Sequence, residues 1–295
     1  MNENPLVTIG IPTYNRKDLL KRSLESALNQ TYKNIDILVT DNHSEDGTKE
    51  MMEEYAKKYP NIRYFRQEEN KGTGFQGKFL LDNSTGEYFC GLCDDDYISE
   101  NYVEECVNIL LNNQNIAFTY GTVYLIDKNN NIEKRCNTFK TIKNSFEKRI
   151  RDYINFGIPA FLASMFFRTD LYRIITSEYK NNRFCEDQLT VLKGLYFGKA
   201  ICSDKAIFYK LNNGCTKDLE TLKKTYNLPD MTNENYWKYL SSEYIKSILY
   251  DDFYKDMKMN DRMKALKASY EEIGYCFSGI HKPRPKNILK KIFRY

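Results

Sequence analysis

The sequence predicts an α/β fold, a mostly parallel sheet flanked by helices, followed by a C-terminal helical appendage. Three observations predict it. Over roughly the first 110 residues, short β-branched runs alternate with segments of helical spacing. Acidic residues stand directly at the ends of two of those runs. From about Asn233 the strand signals stop, and Tyr, Lys and Glu recur at helical spacing.

Leu6–Ile11 is the first strand, and Pro12 is expected to stop it. Asn15 is placed to cap a helix starting near Lys17, in which Leu20, Leu24, Ala27 and Leu28 share one face. Ile35–Thr40 is the second strand. Asp46-Gly47-Thr48 opens a helix carrying Met51, Met52 and Tyr55 on one side. Ile62–Phe65 is the third strand, followed by a glycine-rich loop and a short helix around Phe79–Leu81. Tyr88–Cys93 is the fourth strand and runs straight into Asp94-Asp95-Asp96. This alternation reads as βαβ units, whose parallel sheets take ligands at the carboxyl ends of their strands. Beyond about residue 115 the order is less regular. Ile116–Ile126 reads as a strand, Asn129-Asn130-Asn131 as its turn, Ile158–Arg168 as an apolar segment and Asp187–Phe197 as a helix. Tyr236, Leu240, Tyr244 and Ile248 then mark a helical face. The organisation expected is a domain over 1–225, with halves 1–115 and 116–225, and a helical region over 226–295 that ends in a basic tail.

Composition narrows the function. The chain has 295 residues, 41% hydrophobic and 28% charged, as globular proteins do. No apolar run approaches the roughly 18 residues needed to span a bilayer. The first five residues lack the charged start and apolar centre of a secretory leader, so a cytoplasmic protein with reduced thiols is expected. The net charge is +4, but from Gly274 onward six basic residues meet no acid, leaving 38 basic against 40 acidic residues elsewhere. The body is therefore not a nucleic-acid-binding domain by charge. The tail, Asn287–Tyr295 in particular, mixes apolar and basic residues and reads as a short amphipathic helix for an anionic membrane surface. Cys90 and Cys93 form a lone C-x-x-C without a second ligand pair, so two buried thiols are expected rather than a zinc site. With only His43 and His281 in the chain, proton transfer falls to carboxylates.

Three consecutive carboxylates at a strand end repel one another unless they share a cation, and hard oxygen ligands suit Mg²⁺ or Mn²⁺. A solvated acidic turn is the bland alternative. Asp41 directly follows the second strand and should open onto the same edge. Glu186-Asp187 stands before a helix, either as a cap or as a general base facing a pocket.

Taken in order, Val7–Arg16 (VTIGIPTYNR), Ser26–Tyr32, Ile37–Thr48, Gly86-Glu87-Tyr88 and Asp94-Asp95-Asp96 resemble the family-2 glycosyltransferases of the GT-A fold. The resemblance implies an inverting, metal-dependent enzyme of the hexosyl- or N-acetylhexosaminyltransferase class. It would move a sugar from a nucleotide-sugar, a UDP-sugar first, to a hydroxyl of a glycan or lipid-linked glycan in surface-polysaccharide biosynthesis. Pro12, Thr13 and Tyr14 would border the base, and Asp41 would accept from the uracil ring. Asn15, Asn70 and Gly72 join the donor-binding set, and Asp94 would lie near the ribose. Asp95 or Asp96 would hold Mn²⁺ or Mg²⁺. Asp187, with Glu186 beside it, would deprotonate the acceptor.

Departures from the family pattern are the D-x-D register, which leaves the metal ligand open between Asp95 and Asp96, and Gly77-Lys78 where an Arg and an Asn are common. Lys78 is the remaining candidate cation for the diphosphate. Gly72-x-Gly74-x-x-Gly77 matches a dinucleotide fingerprint only formally, because it does not follow its strand at once. A non-catalytic nucleotide-sugar-binding partner subunit is the alternative from another class. The oligomeric state, a homo-oligomer included, stays open.

Overall fold

β1 (Val7–Thr13) lies between β2 (Ile35–Asp41) and β4 (Tyr88–Gly91), with β3 (Ile62–Arg66) outside β2, all parallel. The structure, a computed structural model, describes residues 4–136, 141–155, 164–178, 185–212, 219–232 and 236–278. Among them the sheet has nine strands in the order β3-β2-β1-β4-β8-β6-β9-β5, with β7 paired to β6. β8 (Met165–Arg168) is antiparallel to both β4 and β6 (Ile116–Ile126). β6 runs parallel to β9 (Lys199–Leu211), which pairs in turn with the two-residue β5 (Tyr97–Ile98). The sheet is thus mixed, with its parallel half in the first 91 residues.

Pro12 does not stop the first strand. β1 continues through Pro12, opposite Thr40, to Thr13 opposite Asp41. The reason is register. Gly10 offers its carbonyl toward β4, to Leu92 N–H, whereas Thr13 offers its own to Asn42 on the β2 side. Pro12, two residues after Gly10, therefore has its missing N–H on the β4 side, where β4 pairing has ended at Gly10.

Asn15 does not cap a helix either. α1 (Lys17–Leu28) starts with Arg16 in the cap position, and Asp46 Oδ2 accepts the Lys17 N–H at 2.8 Å. Asn15, at φ 51°, accepts from the Glu45 N–H and donates its own N–H to Ser44 Oγ. It ties the β1–α1 loop to the loop after β2. α2 (Thr48–Lys58) and α3 (Thr73–Asp82) complete the crossovers, and α4 (Tyr102–Leu111) follows β5. Gly74 and Gly77 lie inside α3, which removes the dinucleotide reading. Beneath the sheet, Asp36 accepts hydrogen bonds from Thr8, Thr85 and both arms of Arg63, joining β1, β2, β3 and the β4 approach.

β7 (Ile132–Arg135) closes a hairpin on β6 through Asp127, which accepts from the Asn129 and Asn131 N–H groups. α6 (Thr169–Thr176) packs on β8 and α7 (Glu186–Phe197) on β6, with α5 (Phe146–Asn155) against α7. α8 (Leu219–Tyr226), α9 (Tyr236–Tyr250), a 3₁₀ turn at Asp252–Tyr254 and α10 (Met259–Ser278) follow. These C-terminal helices share one apolar cluster with the sheet, running from Ala117 and Phe118 through Leu189 to Leu240, Tyr244 and Ala268. Buried Lys193 on α7 adds a polar tie, with Nζ 3.8 Å from Asp251 and 3.9 Å from Glu178. Among the described residues no helix is long and apolar enough to cross a membrane. The basic tail and His281 lie outside the described residues.

Candidate active site

The chain leaves β1 toward β2 and β3, then returns to place β4 on β1's other side, so a crevice opens beyond the carboxyl ends of these two strands. Thr13 closes one wall and the acidic triplet the other. Thr13 Oγ1 donates to Asp94 Oδ2 at 2.9 Å across the gap. Asp94, Asp95 and Asp96 are all buried, Asp96 completely. A solvated acidic turn is therefore excluded.

Burying three carboxylates is costly unless counter-charges share the space. Arg16 Nη1 stands 3.0 Å from Asp95 Oδ2 and 3.3 Å from Asp94 Oδ1. Arg22, from α1, donates to the Asp95 carbonyl and stacks 4.9 Å over the Tyr97 ring. Lys210, from β9, has Nζ 3.9 Å from Asp96 Oδ2. The balance is incomplete. Burial pushes Asp94 up to about 6, against the pull of Arg16 and Thr13. It pushes Asp96 up to about 7, against Lys210. Asp96 Oδ1 accepts the Leu211 N–H at 2.9 Å, while its buried Oδ2 accepts no hydrogen bond.

That orphaned oxygen is the test of a cation here. Asp95, Asp96 and Cys93 offer ligand atoms within 4.8 Å of one another. The two carboxylates are hard donors of the kind Mg²⁺ and Mn²⁺ take. Burial and the neighbouring aspartates hold the Cys93 thiol well above its usual range, so it enters as a neutral neighbour. The residues present fit a divalent ion. Cys90 is apart from this group, buried on β4 with its thiol pushed up to about 12.

On the β2 side, Asp41 is fully buried. Tyr64 donates its hydroxyl to Asp41 Oδ2 at 2.7 Å, Ser44 its N–H to Oδ1 at 2.8 Å, and Arg66 Nε stands 3.7 Å away. Burial and this bond raise the Tyr64 hydroxyl. Asn42 organises the glycine-rich loop, accepting from the Lys71 N–H and the Gln76 amide and donating to Asn70. Asn70 also accepts from Gly72 N–H, and Gly72 (φ 81°) begins α3 in a conformation that favours glycine. Tyr14 is exposed at the mouth. Lys78 is elsewhere, three-quarters exposed and paired with Asp82 at 2.6 Å along α3. His43 has a structural setting, its Nδ1 3.2 Å from the Gln67 carbonyl.

Glu186 and Asp187 form the first turn of α7, behind Cys185 at φ 54°. Glu186 is buried and Asp187 exposed. Tyr172 on α6 and Tyr226 on α8 both have hydroxyls raised by burial, with the Asp187 charge next in effect. α7 packs against α6, on the half of the molecule that the sequence assigns to the acceptor.

Sequence reasoning missed Arg16, Arg22, Lys210, Asn42 and Cys93. Arg16 and Asn42 lie inside the quoted motifs, next to residues that were selected, and their charge and amide were the available signals. Lys210 stands 114 residues from Asp96, with no local cue.

A parallel half that gathers carboxylates at its switch point, joined to a mixed second half, is the arrangement of the GT-A fold. The chain belongs to glycosyl transferase family 2, whose family model matches residues 8–175. Among its relatives is an uncharacterized glycosyltransferase of Rickettsia bellii, 42% identical over 42% of this chain and 18% of that protein. The Escherichia coli chondroitin synthase is 33% identical over 43% of this chain and 18% of its own length. A Campylobacter jejuni GalNAc(5)-diNAcBac-PP-undecaprenol beta-1,3-glucosyltransferase is 26% identical over 75% of this chain and 70% of that protein. The chain spans 18–38% of the length of three Rickettsia relatives it matches. Staphylococcus aureus TarS 1-349, solved with UDP-GlcNAc, superposes with a TM-score of 0.63 at 17% identity, over 92% of this chain and 73% of that one. The Pyrobaculum calidifontis mannosyltransferase PcManGT, solved with GDP-Man and Mn²⁺, gives 0.58 at 15% identity, over 94% and 73%. Both show the fold.

Proposed function

We propose that the protein transfers a sugar from a nucleotide-sugar, a UDP-sugar in the first instance, to a hydroxyl of a glycan or lipid-linked glycan, with inversion at the anomeric carbon and with Mn²⁺ or Mg²⁺. The observation that carries this reading is the buried Asp95–Asp96 pair, with its unsatisfied Asp96 oxygen, at the switch point of a parallel sheet. Asp95 and Asp96 would hold the cation, which when bound neutralises the diphosphate leaving group as a Lewis acid. Thr13 and Arg16 keep Asp94 and Asp95 in place. Pro12, Thr13, Tyr14 and Asn15 border the donor base, with Asn70 and Gly72 across the crevice and Asp41 reading the ring. That last role requires the base to share Asp41 with, or displace, the Tyr64 hydroxyl. Asp187 accepts the acceptor's hydroxyl proton as its oxygen bonds to the anomeric carbon and the bond to the diphosphate breaks on the opposite face.

Residues 1–115 would form the donor half and 116–225 the acceptor half. The undecaprenol-linked acceptor in the name of the Campylobacter relative supports a lipid-linked acceptor and a surface-polysaccharide pathway. It also gives the basic tail a membrane surface to meet from the cytoplasmic side. Deleting residues 286–295 should lower binding to vesicles containing anionic lipid, and unchanged binding removes the membrane contact.

A thermal-shift panel of UDP, GDP, CDP and dTDP, each with and without Mn²⁺, tests the donor. A ligand that binds only the folded protein raises Tm, by about 2.7 kcal/mol of stability at a hundredfold excess over Kd. UDP should raise it most and Mn²⁺ should enlarge the rise. No shift from any diphosphate–Mn²⁺ pair would overturn the reading.

A further inference from the structure

α1 turns three polar side chains toward the loop that carries the triplet. Ser26 Oγ accepts the Ile98 N–H, and Ser23 Oγ donates to the Cys93 carbonyl at 3.1 Å. Arg22 reaches furthest. One terminal nitrogen of its guanidinium donates to the Asp95 carbonyl at 2.5 Å. The other donates to the Asn130 side chain at the tip of the β6–β7 hairpin. The Asp96 N–H, on the far side of the same peptide unit, donates to the Cys93 carbonyl at 3.2 Å. The peptide between Asp95 and Asp96 is thus held at both ends, and its orientation sets where both carboxylates point.

Stacking keeps the guanidinium plane from tilting. Its central carbon lies 4.9 Å over the Tyr97 ring, Tyr97 stacks on Tyr209 at 4.4 Å, and Tyr209 on Tyr124 at 6.2 Å. The three tyrosines stand in register on β5, β9 and β6, so the sheet itself fixes the ladder. Arg22 Nε is buried without a hydrogen-bond partner, which costs stability. A lysine would avoid that cost, but it has neither a plane to stack nor a fork to span two acceptors. The hydrogen bonds of Arg22 go to a carbonyl and an amide, not to a carboxylate. Resting on the reading of Asp95 and Asp96 as cation ligands, we infer that Arg22 is a positioning residue for the cation. It fixes the Asp95–Asp96 peptide so that both carboxylates meet one ion.

The sign of one change decides the matter. A cation that only balanced the triplet would compete with Mn²⁺, and its removal would tighten metal binding. A cation that orients the ligands loosens metal binding when it is removed, by about 10- to 100-fold for groups of this kind. In R22M, Mn²⁺ titrated into the full chain and followed by EPR should therefore bind about 10- to 100-fold more weakly than to wild type. R22K keeps the charge without the fork, and its Mn²⁺ affinity should fall between the two. UDP in EDTA, followed by ligand-observed NMR, should bind both variants as it binds wild type. Unchanged or tighter Mn²⁺ binding in R22M overturns the inference. Wild-type Mn²⁺ affinity in R22K also overturns it, because charge alone then suffices. Parallel loss of Mn²⁺ and metal-free UDP binding in both variants overturns it in favour of a general structural role. A wild-type protein that binds no Mn²⁺, or whose Mn²⁺ affinity is unchanged by Asp96→Asn, overturns the cation reading itself, and this inference with it.

Discussion

Replacing Asp187 with Asn should lower sugar transfer by about 1,000-fold while nucleotide-diphosphate affinity stays within about 2-fold of wild type. General-base catalysis is typically worth 10²- to 10⁴-fold, and an amide cannot take up the proton. The substitution should be tolerated structurally, because Asp187 is exposed in the first turn of α7 and Asn is accepted at helix starts. The apolar residues that hold α7, Leu189, Val191, Leu192 and Leu195, are buried further along the helix and keep their contacts. Transfer is followed as nucleoside diphosphate released in the presence of acceptor, and binding by calorimetry. A variant that transfers at the wild-type rate would remove Asp187 as base. A wild-type protein that binds donor but never turns over, with any acceptor tried, would favour a non-catalytic partner subunit.

For Asp96→Asn the expected loss is at least about 100-fold in transfer, together with loss of the Mn²⁺-dependent part of the UDP thermal shift. Lewis-acid stabilisation is worth several kcal/mol, and each 1.36 kcal/mol is tenfold in rate. The amide oxygen of Asn can still accept the Leu211 N–H, so the β9 contact survives. What disappears is the charge on the buried oxygen that accepts no hydrogen bond. Because that charge is buried at a cost, the variant measured without metal should melt no lower than wild type. A full Mn²⁺ response in Asp96→Asn would move the ion onto other ligands.

The parallel half is legible in the sequence because each of its elements announces itself locally. Val7–Ile11 and Ile35–Val39 are β-branched runs, Gly47 and Gly72 mark turns, and the triplet follows closely on its strand, although β4 ends at Gly91 rather than at Cys93, so Leu92 and Cys93 intervene. The errors there are of register. Whether Pro12 ends β1 depends on which neighbour its missing N–H faces, and that is decided by where β4 stops, some 80 residues on. Asn15 looks like a cap by composition, yet its amide is drawn to Glu45 in the facing loop. The second half is less legible. β8 joins the sheet between β4 and β6 against the chain order, and a four-residue strand of Met, Phe, Phe and Arg carries no periodic signature of that place. The site follows the same division. The aspartates could be selected from sequence, and Arg16 stands in the same motif, whereas the counter-charges Arg22 and Lys210 are identified only by proximity in space.

The pairing of β9 with β6 and β5 also governs when the site comes into being. Asp96 receives its backbone hydrogen bond from a residue 115 positions later, and Lys210 reaches it by the same strand. During synthesis the first four strands emerge long before β9 does, so a nascent chain carries three crowded carboxylates without their last partner. Contacts this distant in sequence slow folding, because the loop entropy is lost before the contact is gained. On refolding from denaturant, the parallel half should therefore regain its secondary structure before Mn²⁺-dependent nucleotide binding returns. That binding should reappear with the slow phase in which β9 docks.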